Sequence, residues 1–268
     1  MRVFTTDEVA TGQNLTVLLY GENRSGKTHF TGTWPRPLYI VPETSVSEMY
    51  TLRDEGFTVT PFKDMAEFRN TCAEIATEIT KGRPINGYVP RTIIIDNLTT
   101  AQMVWEEEIK ARRQINRLEW GDWDQVKSLL SYTMVKFMAA NVHLIWICHC
   151  RTITVAYPEN PKKQIIEAKL TINGQARDFI PNHADLLLYA EQVDKGARGA
   201  EYRIHGRKRG IYPAGVRLPT SDGQKPFEML KSDPKQYGVF PAYDQLAPLF
   251  GLPNTDEDWE AYEASATR

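Results

Sequence analysis

Apolar residues fall along this chain in two rhythms. Five runs, at positions 15–20, 38–41, 92–95, 143–148 and 184–190, are apolar without alternation, the pattern of strands covered on both faces of a parallel sheet. Between them, Met65, Phe68, Cys72, Ile75 and Ile79 recur at steps of three and four after Asp64, a residue type that caps helix N-termini, and Trp123, Val126, Leu130, Met134 and Phe137 repeat the spacing. Each set forms one stripe down a helix, which places Trp123 on the core face. Strands alternating with helices predict an α/β fold with right-handed crossovers, a mostly parallel twisted sheet and ligands bound beyond the carboxyl ends of its strands. After residue 151 the rhythm changes. Extended segments at 152–157 and 164–172 flank the turn-prone stretch 158–163, predicting a protruding hairpin or mobile loop. Short strands from residue 201 onward predict an antiparallel extension near the C-terminus.

Composition narrows this picture only modestly. The 268 residues are 41% hydrophobic and 25% charged, enough for one large α/β core. The expected division is an N-terminal extension at 1–14, one α/β domain at 15–250 and an acidic tail at 251–268. A net charge of −2 gives no bulk attraction to polyanions, so any nucleic-acid contact must come from local patches. The three cysteines, Cys72, Cys148 and Cys150, lack metal-ligand spacing and suit reduced thiols. With neither a signal-peptide pattern nor an apolar run of membrane-spanning length, a cytoplasmic location is expected.

The sharpest chemical signal is Gly21-Glu22-Asn23-Arg24-Ser25-Gly26-Lys27-Thr28, followed by His29. It sits between a buried strand and a helix start, the context that a phosphate-binding P-loop requires. Glycines allow the loop to wrap, its amides point at β- and γ-phosphate oxygens, and the helix N-terminus adds partial positive charge. Lys27 would reach the same oxygens and the Thr28 hydroxyl would ligate Mg2+, so the expected cofactors are ATP and Mg2+. Asp96, which follows the apolar run 92–95, either steadies the metal from a second strand or caps the following helix. The next residue, Asn97, cannot act as a base. Glu43, two residues past the run 38–41, is either the general base, a role that contributes about 10²–10⁴ in rate, or a solvated loop carboxylate.

The order of these features resembles the RecA-like recombinase core, and in particular the small phage RecA-like ATPases of single-strand annealing and recombination. In that family a glutamate ends the strand after the P-loop and a tyrosine seven residues later stacks on adenine; Glu43 and Tyr50 reproduce the spacing. The resemblance implies that His149, at the end of the run 143–148, is the polar sensor of the γ-phosphate, the alternative being a hydrogen-bonded histidine at a strand end. It implies a first DNA loop with Arg112, Arg113, Arg117 and Trp120, and a second with Arg151, Lys162, Lys163 and Lys169. Those side chains offer cations for phosphates and an aromatic face for bases, or are solvated surface charges. Arg207 and Arg209 resemble the family's paired cations that reach a neighbouring subunit's nucleotide, the alternative being a basic surface hairpin. The implied activity is an ATPase stimulated by DNA. The implied partners are single-stranded DNA, further copies of this chain in a ring or filament, and a single-strand binding protein or another recombination or replication protein, and the implied setting is the cytosol of a bacterial or phage-infected cell.

The resemblance spans residues 12 to 210, and only the P-loop is strongly specific. No long N-terminal oligomerisation domain or sizeable DNA-binding domain after the core is read, so annealing or loading is expected ahead of strand exchange. The competing expectations are a nucleotide-dependent small-molecule kinase and a helicase or packaging motor.

Overall fold

The computed structural model describes residues 14–157, 160–217, 227–231, 240–255 and 257–261. The chain runs β1 (Thr16–Gly21), α1 (Lys27–Gly32), β2 (Pro37–Pro42), α2 (Val46–Asp54), β3 (Thr58–Phe62), α3 (Met65–Thr80), β4 (Thr92–Ile95), α4 (Leu98–Arg113), α5 (Trp120–Ala139), β5 (His143–Tyr157), β6 (Asn160–Leu170), α6 (Ala176–His183), β7 (Leu186–Asp194), β8 (Ala200–His205), β9 (Gly215–Val216), β10 (Met229–Lys231) and α7 (Tyr243–Leu246). The main sheet has the order β10-β8-β7-β1-β5-β4-β2-β3. From β7 through β3 all neighbours are parallel, whereas β8, β9 and β10 add antiparallel pairings at the C-terminal side. This is the expected mostly parallel α/β core with its antiparallel extension.

Alternation along the buried strands divides the core into two layers. Leu18 and Tyr20 of β1 face one cluster, beneath α3, α4 and α5, and Val17 and Leu19 face the other, with Phe30 and Trp34. A strand apolar on both faces is thus explained by helices on both sides of the sheet. Helix α3 begins where the sequence places it, with the Asp64 carboxylate accepting the Glu67 amide proton at 2.7 Å, a cap worth about 1 kcal/mol. Trp123 packs against the first cluster, as its stripe implies.

Several elements differ from the sequence expectation, helices α6 and α7 among them. β3 and α2 were not foreseen: β3 is an edge strand containing Pro61, which donates no ladder hydrogen bond, and α2 carries no clear apolar stripe. The runs at 143–148 and 152–157 are one continuous strand, β5. Its first half is sandwiched between β1 and β4, and its second half pairs only with β6, in a hairpin with Arg151 opposite Lys169. The change from unbroken apolar run to mixed pattern marks where this strand leaves the core. The expected N-terminal extension at 1–14 lies outside the described residues except for Asn14, and the end of the acidic tail, 262–268, lies outside them too. No helix among the described residues is long and apolar enough to cross a membrane.

Candidate nucleotide site

The carboxyl edge of the parallel strands carries a cavity of about 1270 Å³, lined by the loop 22–26, Lys27, Thr28, His29, Asp96 and His149, among others. Its floor starts with Gly21, the last residue of β1. A Cβ there would lie 2.3 Å from the Ala190 carbonyl oxygen of β7, closer than any side chain tolerates. Arg24 and Gly26 have φ of 63° and 83°, so the loop winds through left-handed conformations that glycine adopts at no steric cost. Lys27 is buried beneath it. Its ammonium donates to the Glu22 carbonyl at 2.7 Å and to the Gly21 carbonyl at 3.2 Å. Burial pushes the Lys27 pKa below the ordinary lysine value, and the Asp96 carboxylate opposes that shift.

Helix α1 is held in register from β2. The Tyr39 hydroxyl, at 3.1 Å, donates to the Thr28 carbonyl and contacts the Thr31 hydroxyl at the same distance. So fixed, the Thr28 hydroxyl donates to Asp96 Oδ2 at 2.8 Å. Asp96 is buried and follows β4, two strands from β1 in the sheet. The Asp96–Asn97 peptide bond is cis. Capping of α4 falls to Asn97, whose Oδ1 accepts the Thr100 amide proton at 2.8 Å, so Asp96 is left to face Thr28. A hydroxyl and a carboxylate meeting beside a phosphate cradle are hard oxygen donors of the kind Mg2+ takes with phosphate oxygens and water, and Thr28 with Asp96 fits that ion.

His149 is the β5 residue directly opposite Gly21. Its amide donates to the Thr99 hydroxyl at 3.1 Å, and its carbonyl accepts the Thr171 amide proton at 2.8 Å. Both threonines also line the cavity. Cys150 lines it as well, with its thiol pushed up to about 11 by burial, and Cys148 behind it is pushed up to about 12 for the same reason. Neither thiol ionises near neutral pH.

The other sequence candidates lie elsewhere. Glu43 follows β2 at the same sheet edge, its amide donating to the Phe62 carbonyl at 2.8 Å, yet its exposed side chain does not line the cavity. Tyr50, on α2, opens onto a separate recess with Met49, Arg53 and Val59. Arg207 pairs with Glu228 at 2.8 Å, and neither it nor Arg209 lines the cavity. Their turn is tied to the loop instead by the Tyr212 hydroxyl, 3.4 Å from Glu22 Oε1.

Of the first basic group, Arg113 grips both oxygens of Asp122 at 2.6 Å and Glu119 at 3.1 Å, bracing the corner between α4 and α5. Arg112 pairs with Gln125 and Glu108. Arg117 and Trp120 stand in solvent. Of the second group, Arg151 and Lys169 sit together at the hairpin root, and Lys162 and Lys163 lie on β6 with side chains outside those described.

Two cavity residues carried no signal in the sequence. Tyr202 of β8 and Phe240 reach the cavity from far along the chain, with ring centroids 4.1 Å apart, and Phe240 stacks on His29 at 4.1 Å. No spacing rule links them to the P-loop, and only the folded sheet does.

A buried strand, a glycine-wrapped loop and a second strand's aspartate meeting the loop's threonine define a P-loop nucleotide-binding protein. A family model described as an AAA domain matches residues 13–217, and the chain belongs to that family of nucleotide-binding ATPases. Among solved structures, the chain is similar to the RadB recombinase, with 13% sequence identity, a TM-score of 0.43, and coverage of 82% of this chain and 87% of that one. No curated protein matches the chain.

Proposed function

We propose that this protein hydrolyses ATP with Mg2+ and uses the nucleotide state to control its grip on single-stranded DNA, acting as an oligomer in annealing or loading. The observation that carries the reading is the course of β5. One unbroken strand bears His149 on the wall of the nucleotide cavity and, two residues later, Arg151 at the root of a hairpin that projects from the sheet. A change in how His149 meets the γ-phosphate would therefore pass along one continuous strand, paired with β1 up to His149 and with β6 from Cys150 onward.

Within the cavity, the loop amides and Lys27 would cradle the triphosphate, and Thr28 with Asp96 would hold Mg2+, which neutralises charge on the β- and γ-phosphates when bound. Tyr202, Phe240 and His29 give the cavity an aromatic wall suited to a nucleobase, and they displace Tyr50 as the first choice for that contact. Glu43 stays the choice for the general base because β2 neighbours β4, and the Asp96 amide donates to Ile40 of β2 at 3.2 Å. Arg207 and Arg209 are assigned to a neighbouring copy's nucleotide, on the ground that neither reaches its own. On the DNA side, Arg151, Lys162, Lys163 and Lys169 would take phosphates, with Trp120 and Arg117 as a second contact; Arg112 and Arg113 are better accounted for by their partners on α4 and α5.

The test is retention of a fluorescent single-stranded oligonucleotide with and without ATP, across a salt titration. Retention that requires ATP and falls steeply with salt is expected, because phosphate contacts release counterions. No retention even at low salt would reject the reading and return the kinase alternative.

A further inference from the structure

A second recess, of about 230 Å³, lies between α4 and the root of the β5–β6 hairpin. Its wall holds three cations, Arg151, Lys169 and Arg177, and one carboxylate, Glu106. Arg151 and Lys169 are direct cross-strand partners, so two positive side chains face each other across an antiparallel ladder, an arrangement that destabilises the pair by itself. Neither is in an ion pair among the described residues, and Arg177 meets a carboxylate only at 3.8 Å, that of its own neighbour Asp178. Glu106 is turned toward Asn173, whose side-chain amide donates to it at 3.2 Å. Three cations around a small concavity with one carboxylate, two of them without an ion-pair partner among the described residues, are matched by an anion with several oxygens. The recess is smaller than the cavities that take whole cofactors, which points to a single tetrahedral oxyanion.

The position has a consequence for the nucleotide site. Thr99 and Thr171 line both this recess and the P-loop cavity, and the same two residues hydrogen-bond the backbone of His149. Gln102 adds a latch: its side chain accepts the Asn173 amide proton at 2.8 Å and donates to the Asn173 carbonyl at 2.9 Å. Whatever fills the recess therefore presses on a wall one residue thick from the γ-phosphate sensor position.

We propose that this recess is a phosphate-binding site separate from the P-loop, formed by Arg151, Lys169 and Arg177 against α4. It stands whether or not the proposed DNA function does, since the phosphate could be a phosphodiester of a bound strand or the free orthophosphate left by hydrolysis.

The experiment begins with the full chain saturated with a non-hydrolysable ATP analogue, so that the P-loop is filled. Inorganic phosphate is then titrated and followed by phosphorus NMR. One additional phosphate site is expected in the wild type, weakened at least tenfold in Arg177→Gln and in Lys169→Gln, with thermal melts recorded to show that both variants fold. A single-stranded oligonucleotide is added in the second arm. Competition with phosphate, together with a salt slope that drops by about 0.7 for each cation removed, assigns the site to the strand backbone; phosphate binding without competition assigns it to the free anion. If the folded variants bind both phosphate and oligonucleotide as the wild type does, or if the wild type binds neither, the proposal is overturned. Phosphate binding that is absent, or that is insensitive to Arg177 and Lys169, while oligonucleotide retention stays intact sinks this proposal and leaves the DNA reading in place.

Discussion

The floor of the nucleotide cavity, where β1 and β4 end on either side of β5, and the root of the hairpin, built on β5 itself, treat charge in opposite ways. At the floor, Lys27 and Asp96 are buried, and Thr28 and the loop carbonyls answer them at hydrogen-bond distance. At the root, two residues beyond His149, Arg151 faces Lys169 across the ladder and neither has a carboxylate partner among the described residues. Buried charges left without partners would cost several kcal/mol, so the floor has to be organised before ligand arrives. Solvated cations carry no such penalty, so the root can keep its charge unpaired. The contrast separates a preorganised site from a solvated basic surface.

The largest expected effect tests the floor. Lys27→Ala should abolish measurable ATP binding and turnover, since it removes the buried cation of the loop, Arg24 being exposed; phosphate release at the wild-type rate would break the comparison at its base. Glu43→Gln should keep ATP affinity and slow turnover by about 10²–10⁴, the usual worth of a positioned base. Equal turnover in a single-turnover assay would place the base on another residue. Gly21→Ala should lower folding stability by about 1–3 kcal/mol, an overpacking cost, because the new methyl would sit 2.3 Å from the Ala190 carbonyl oxygen; an unshifted urea midpoint would contradict the tight fit.

A pH effect sharpens the comparison from inside β5. His143 is fully buried, its Nδ1 accepts the Leu15 amide proton at 2.9 Å, and burial lowers its pKa from 6.5 to about 3. The unfolded chain takes a proton near pH 6.5 that the folded chain refuses until about 3. Above that window the group leaves stability untouched; as pH falls through it, stability declines by up to about 1.4 kcal/mol per unit. Urea midpoints at pH 7.5 and 5.5 should show the loss, and His143→Gln should flatten this contribution. The smallest stability effect belongs to the root: Arg151→Ala should stay within about 0.5 kcal/mol of wild type, and a larger drop in its urea midpoint would show that the cation is holding the fold together.

Much of the floor was legible in the sequence because it is local. The P-loop is eight consecutive residues, and Asp96 announces itself by following an apolar run. The five buried runs gave the parallel strands for the same reason. What escaped was set by distance or by weak pattern. Tyr202 and Phe240 join the cavity only because β8 pairs with β7, and β7 with β1. Edge strand β3, with its proline, does not look like a strand from its sequence. Arg113 looked like a loop cation until its contact with Asp122, nine residues on, revealed a brace. The spacing from Glu43 to Tyr50 matched a family pattern, yet α2 turns Tyr50 to a recess at the far edge of the sheet, where residue spacing alone carries no information about direction.

The central claim is that β5 joins nucleotide to strand binding, and coupling is a free energy that both sites must report equally. Oligonucleotide affinity should be measured with and without ATP in the wild type and in His149→Ala. The account predicts a clear strengthening by ATP in the wild type, collapsing toward no difference in the variant. A variant whose oligonucleotide affinity responds to ATP as fully as the wild type's would contradict it.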